Sequence, residues 1–256
     1  MRILASQNLY GYWESDGHRV TALHRVPVLA NGLCTDGGLV YLADWADVHI
    51  LNGSGTELET VHTRAVNCHT VRRHRGKTLL AGTGNSAVVW GDEVVFRPGE
   101  FGFRPQPPHG FYVNAAIPWR RDTVLIGLRS HRAVVFFDVK ERCVERVVPL
   151  PFLRNLHHPT PFGEFFLVSD DASVVLFDIE GRAMLRSPEI RWPRGIWVES
   201  RTRVWVADRR GIRRWNPQTN AIERSVDSPL PPPSSLPERK GDVQAGALFD
   251  VVGVGD

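Results

Sequence analysis

The chain has 256 residues, 42% of them hydrophobic, a formal net charge of +3 and three cysteines. That length and apolar content suit one compact domain, spanning 1–256, with a large core, while the cysteines are too few for a disulfide framework and point to a reducing cytoplasm. No charged leader precedes an apolar core and no apolar run approaches membrane-spanning length, so the expectation is a cytoplasmic monomer with no membrane association.

Along the chain one phrase of short strands recurs. Residues 1–26 hold only the later strands of a copy: Arg2-Ile3-Leu4-Ala5-Ser6, Leu9-Tyr10-Gly11-Tyr12-Trp13 and Arg19-Val20-Thr21-Ala22-Leu23. Complete copies then open at Gly32-Leu33-Cys34, Cys68-His69-Thr70, Gly110-Phe111-Tyr112, Leu156-His157-His158 and Gly195-Ile196-Trp197. Their spacing, roughly 36 to 51 residues, is that of a four-stranded propeller blade. Second strands at 40–44, 78–82, 124–127, 165–170 and 204–208 are near-continuous apolar runs, as expected of strands covered on both faces. Third strands at 48–52, 88–91, 134–138, 174–178 and 212–216 each close on a Gly, Asn or Asp. Outer strands such as 143–148 alternate polar and apolar. The proline-rich stretch 229–237 reads as an extended surface connector, and Gly246-Ala247-Leu248 supplies the first strand that residues 1–26 lack. The pattern predicts an all-β, six-bladed β-propeller whose closing blade is shared by both ends of the chain, with 248–252 paired to 2–6, because an unpaired last edge would stand exposed.

Trp192-Pro193-Arg194-Gly195-Ile196-Trp197-Val198-Glu199, followed by Arg203-Val204-Trp205-Val206-Ala207-Asp208, resembles the NHL-repeat phrase in which Pro-x-Gly-Ile opens an inner strand and a strand ending Ala-Asp follows. The phrase is shared by relatives of gluconolactonase, regucalcin and strictosidine synthase, so the resemblance implies that six-bladed superfamily. The stretch from Asn67 to Val89 also looks like uncharacterised bacterial propellers. The fold hosts hydrolases, lyases, synthases and interaction modules alike, and so does not choose an activity.

Inner strands of such a disc start at one face and converge on its axis. Their first residues are read as Asn31, Asn67, His109, Asn155, Arg194 and, at the closing blade, Gln244 or Ala245. Two residues deeper come Leu33, His69, Phe111, His157, Ile196 and Ala247, with Tyr112 and His158 beside them. Polar groups gathered at one mouth suit a concave ligand site, although a ring of asparagines can equally bond neighbouring blades and channel water. His69, His109 and His157 on three successive inner strands are candidate ligands of a divalent metal, zinc or calcium; satisfied channel histidines are the alternative. Pro108-His109-Gly110-Phe111 resembles an opening of the peptidyl-amidoglycolate lyase branch, which implies an axial zinc. Gluconolactonase-like metal sites use a Glu, two Asn and an Asp, and only the Asn positions are comparable here.

Arg194, a guanidinium with no acid in its own strand, is read either as a clamp for an anionic group or as a partner of Asp170, Asp171 or Asp208. The insertion 97–108, with Phe101 and Phe103, is placed either to cover the mouth as a lid or to sit idle on the surface. Arg72-Arg73-His74-Arg75, Arg120-Arg121, Arg201 and Arg203 are assigned to turns of the opposite face, without the aromatic interleaving that nucleic-acid binding requires. Cys68 and His69 point to opposite sides of a strand, so Cys34 and Cys68 are read as buried fillers. The expected function is a lyase, hydrolase or cyclase/isomerase acting on a small polar or anionic molecule, with His69, His157 and Arg194 catalytic and Asn31, Asn67, His109, Tyr112, Asn155 and His158 binding ligand. A noncatalytic propeller that holds a peptide or protein is the alternative.

Overall fold

A computed structural model describes residues 1–7, 11–26, 28, 30–107, 110–229 and 248–254. In it 24 strands form six four-stranded antiparallel sheets. Blade 2 comprises β4 (Gly32–Asp36), β5 (Leu39–Ala43), β6 (Asp47–Leu51) and β7 (Glu57–His62). Blade 3 comprises β8 (Cys68–His74), β9 (Lys77–Gly82), β10 (Ala87–Trp90) and β11 (Glu93–Phe96). Blade 4 runs through β12 (Val113–Arg120), β13 (Thr123–Leu128), β14 (Ala133–Asp138) and β15 (Cys143–Pro149). Blade 5 runs through β16 (Thr160–Phe162), β17 (Phe165–Ser169), β18 (Val174–Phe177) and β19 (Ala183–Arg186). Blade 6 holds β20 (Ile196–Ser200), β21 (Arg203–Ala207), β22 (Gly211–Asn216) and β23 (Ala221–Asp227). Blade 1 is composite: β24 (Leu248–Val254) lies inside β1 (Arg2–Gln7), β2 (Gly11–Ser15) and β3 (Val20–Arg25). The expected closure is met, with Arg2 opposite Val254 and Ser6 opposite Asp250.

The apolar runs explain why these strands stack as a disc. Along β13, Val124, Ile126 and Leu128 pack with Leu79, Val88 and Phe96 of blade 3, while Leu125 between them packs with Phe166 and Val175 of blade 5. β5 divides in the same way, Val40 and Leu42 toward blade 1, Tyr41 and Ala43 toward blade 3. Side chains alternate across a strand, so a continuous apolar run feeds two cores at once. Each of the six hydrophobic clusters accordingly lies between two neighbouring blades.

The first strands form a closed ring in the order β24, β4, β8, β12, β16, β20 and back to β24. Their approach is close enough to demand glycine: a Cβ on Gly195 would stand 2.5 Å from Asp250 Cα, and one on Gly32 would stand 2.8 Å from the Val71 nitrogen.

Three expectations are corrected. The inner strand of blade 4 starts at Val113, after an isolated bridge between Gln106 and Gly110, and not at Gly110-Phe111-Tyr112. The inner strand of blade 5 starts at Thr160, after Leu156-His157-His158. The insertion 97–108 is no lid over its described length, because Phe101 stacks on Phe96 at 5.1 Å and meets Phe137 edge-on at 5.3 Å, and Phe103 meets Phe96 at 6.3 Å, anchoring it to the core between blades 3 and 4. Residues 230–237 of the connector, together with His109, Gln244, Ala245, Gly246 and Ala247, lie outside the described residues.

β24 brings a fully buried carboxylate, Asp250, to the axis. Arg72 of blade 3 reaches across and donates to it twice, at 2.7 and 3.0 Å, while the Leu33 N–H donates at 3.1 Å. Burial alone would depress the Arg72 guanidinium, but Asp250 beside it holds its pKa above the ordinary value. Removing one member of a buried pair strands the other without compensation. Asp250→Ala is therefore expected to destabilise the fold by about 3–5 kcal/mol in denaturant unfolding, and deletion of 248–256 by at least as much. Unchanged unfolding of either variant would contradict closure at the axis.

Candidate functional site

Two chains of polar side chains cross the channel. In the first, the Asn114 amide of β12 lies between His69 Nδ1, at 2.9 Å, and His157 Nδ1, at 2.5 Å. Arg194 then donates from Nη1 to His157 Nε2. Blades 3, 4, 5 and 6 are thus joined through His69, Asn114, His157 and Arg194. In the second, Arg72 donates to His158 Nε2 at 2.8 Å while holding Asp250 of blade 1. Local irregularity helps to aim these groups. β8 has a bulge between Cys68 and Thr70 and β12 another between Val113 and Ala115, and His69 and Asn114 are the residues that these bulges re-aim.

The electrostatics follow from burial. His69 is pushed down to about 4, the Asn114 hydrogen bond offsetting part of the effect. His158 is also pushed down to about 4 by burial, against the pull of Asp250. His157 lies well below the ordinary histidine value because of burial first and the positive charges of Arg194 and Arg129 second. A guanidinium has donors only, so an imidazole nitrogen that receives one must be unprotonated. His157 and His158 are therefore neutral acceptors, each holding an arginine from a different blade.

Arg194 is the unbalanced charge of the site. Burial pulls its pKa down to about 10, Arg129 pushes the same way, and Asp171 acts against them. Among the described residues it makes no ion pair with an acid. Asp170 instead caps the N–H groups of Arg154 and Asn155, at 3.0 and 2.9 Å. Asp208 accepts from Gly211 N–H at 2.8 Å and from Arg213 Nε at 2.9 Å. Its own contacts are His157 and the ring of Trp192, whose centroid lies 4.1 Å from its guanidinium carbon. Arg129 sits in the same way over Tyr112, at 4.8 Å, and Tyr112 meets His69 edge-on at 6.3 Å.

Of the expected site residues, His69, Tyr112, His157, His158 and Arg194 do come together. The asparagines are held by their backbones: the Asn67 carbonyl accepts from Thr83 N–H at 3.1 Å, the Asn31 N–H donates to the Ala43 carbonyl at 3.0 Å, and the Asn155 N–H donates to Asp170. The register of blade 4 moves the axial positions from His109 and Phe111 to Tyr112 and Asn114. Arg72 is no turn residue of the far face but a channel residue of β8. Of the other basic residues assigned there, Arg73 pairs with Asp36 at 3.0 Å, Arg75 with Asp122 at 2.7 Å, Arg120 with Glu164 and Arg203 with Glu199 at 2.8 Å. Cys34 and Cys68 are buried, and burial raises both thiols to about 12, far from a reactive thiolate.

Of the expected metal ligands His69, His109 and His157, His109 lies outside the described residues. His157 has both nitrogens engaged, and a divalent cation would have to settle beside Arg194 and Arg129. Among the described residues no group of three or more His, Cys, Asp or Glu is arranged around a common point. Asn114, Arg72 and Asp250 are the channel residues that sequence reasoning missed. A polar residue interrupting Val113-Asn114-Ala115-Ala116 and Phe249-Asp250-Val251 was the available signal.

The neutral histidines make stability pH-dependent. Their folded pKa values lie below the usual 6.5, so the unfolded chain binds protons first as the pH falls. Their contribution is complete above about 6.5 and is lost as the pH falls toward about 4. A shift of this size is worth up to ~3 kcal/mol per histidine. The melting temperature is expected to fall over that window in the wild type and to fall less in His158→Gln, which cannot be protonated; identical pH profiles would contradict the assignment.

No family model matches the chain, and no curated protein matches it. Solved structures do match in shape. The crystal structure of a nidogen/laminin complex aligns at TM-score 0.75 and 11% identity, covering 98% of this chain and 97% of that one. A protein of unknown function from Bacteroides caccae aligns at TM-score 0.66 and 10% identity, with 98% and 97% covered. The WD40 propeller domain of Doa1 aligns at 0.63 and 11% identity, with 89% and 79% covered. At such identities the likeness speaks for architecture alone, and this chain is an all-β, six-bladed β-propeller.

Proposed function

We propose that the channel mouth binds a small organic anion, a carboxylate or phosphate group seated on Arg194. The observation that carries this is a half-buried guanidinium whose nearest polar partner is a neutral imidazole and which has a second guanidinium, Arg129, close enough to depress it. A buried cation is costly without a counter-charge, and an incoming anion supplies one. An NHL-like lineage is part of the proposal, supported by Pro193-Arg194-Gly195-Ile196 at the start of blade 6.

A second reading is catalytic, a lyase, hydrolase or cyclase/isomerase in which His69 takes a proton from the bound anion. It is favoured by the burial that keeps this imidazole in its basic form, with a pKa of about 4, beside the same mouth. That value makes His69 a weak base until an anion arrives and raises it.

Thermal shift with small carboxylates and phosphates tests the first reading. Arg194→Met should abolish the shift, and Arg194→Lys should lose most of it, because lysine keeps the charge but not the planar two-point contact. If the anions stabilise wild type and Arg194→Met equally, the mouth is not their site.

A further inference from the structure

Nine residues other than glycine hold a left-handed backbone among the described residues. Six of them, Arg75, Ser86, Arg121, Arg132, Arg142 and Asn220, are polar residues in tight turns between strands, where that conformation is commonplace. The other three, Asn67, Tyr112 and Trp192, stand instead just ahead of inner strands, at the mouth. Asparagine adopts this conformation readily, whereas bulky aromatic residues rarely do. Trp192, at φ +59°, also precedes Pro193, which restricts it further. Strain of this kind persists only where the surroundings impose it, and it concentrates at ligand clamps.

What the two strained aromatics share is a guanidinium. Arg194 lies over Trp192 at 4.1 Å and Arg129 over Tyr112 at 4.8 Å, while Arg209 approaches Trp192 at 6.0 Å. A guanidinium laid on a ring has its face occupied and its N–H edges turned outward in a fixed plane, which is the geometry of two-point anion recognition. Three guanidiniums share these two rings, and Asp171 is the one carboxylate found to act on Arg194 among the described residues. Three guanidiniums so placed favour a ligand with two negative charges over one with a single charge.

We propose that the mouth is a clamp for small dianions, such as a dicarboxylate or a phosphomonoester, spanning Arg194 and Arg129, and that Trp192 and Tyr112 are positioning residues whose strained backbone keeps the two guanidiniums in place. This rests on the anion-binding function proposed above and adds its charge class and the residues that set it.

Malonate and acetate, compared by calorimetry at about pH 8 and constant ionic strength, separate the two levels, since both present carboxylates but only malonate presents two. The wild type is expected to bind malonate at least about tenfold more tightly than acetate. Arg129→Met should bring malonate close to the affinity for acetate. Trp192→Asn, which removes the ring but accepts a left-handed backbone, should weaken malonate about tenfold without lowering the melting temperature, and Trp192→Phe should restore most of that loss. Failure of both anions to bind wild type overturns the anion site itself. Binding of both with equal affinity, or a malonate preference that survives Arg129→Met, leaves the anion site standing and overturns the dianion clamp. Should Trp192→Asn melt early, Tyr112→Asn provides the same comparison on the other guanidinium; unchanged malonate affinity in a folded ring-deleted variant overturns the positioning role.

Discussion

The structure depends on a bond between strands far apart in sequence: Arg72 to Asp250, across a separation of 178 residues. All six apolar cores lie between blades, and across the axis the inner strands are joined by polar contacts. Two charges taken out of water repay their desolvation only when every donor and acceptor finds a partner. Here the Leu33 N–H and the carbonyls of Leu33 and Val71 complete the set. The bond also fixes register. A one-residue slip of β24 that put Asp250 in the place of Val251 would turn it into the cluster that Val251 shares with Trp13 and Trp205, and would leave Arg72 without its carboxylate.

The remaining channel chemistry grows from the same shortage of acids. With Asp250 committed to Arg72, the second axial arginine, Arg194, has an imidazole where a carboxylate would be expected. Two consecutive residues, His157 and His158, serve two different arginines because successive side chains diverge from an extended backbone. This ties the histidines to a neutral state and leaves the positive charge of the mouth unbalanced. Structural satisfaction and ligand chemistry are therefore separable along the channel: one chain closes the disc and the other leaves charge over.

The blades were legible because each apolar run of second and third strands serves two cores, and such runs survive inspection by eye. The sharing of blade 1 was legible for a related reason, since an orphan set of outer strands demands a missing inner one. Inner strands were harder. They carry small and polar residues facing a channel, so neither alternation nor an apolar run marks their start, and bulges at His69 and Asn114 break what period remains. The three-residue error in blade 4 came from there: Gly110-Phe111 has the look of Gly32-Leu33, but Gly110 closes a bridge onto Gln106 and the strand begins beyond it. Arg72 was misplaced because four basic residues in a row read as a turn, whereas the strand continues to His74 before turning. The proximity of Arg129 to Arg194 is set by how neighbouring blades stack.

The composite blade carries a consequence for biosynthesis. β1 leaves the ribosome early, yet the strand that covers its inner edge is made after five other blades. Throughout that interval β1 offers an open row of amides and carbonyls, and Arg72 has no counter-ion. Blades 2 to 6 form from strands that follow one another directly, and can assemble as they are made. Closure is then a single late event, in which β24 enters a gap whose two walls, β20 and β4, are already built. A nascent disc of this kind is open to pairing with another nascent disc through the same gap, so exchange of β24 between two chains is the misassembly to which its topology inclines it.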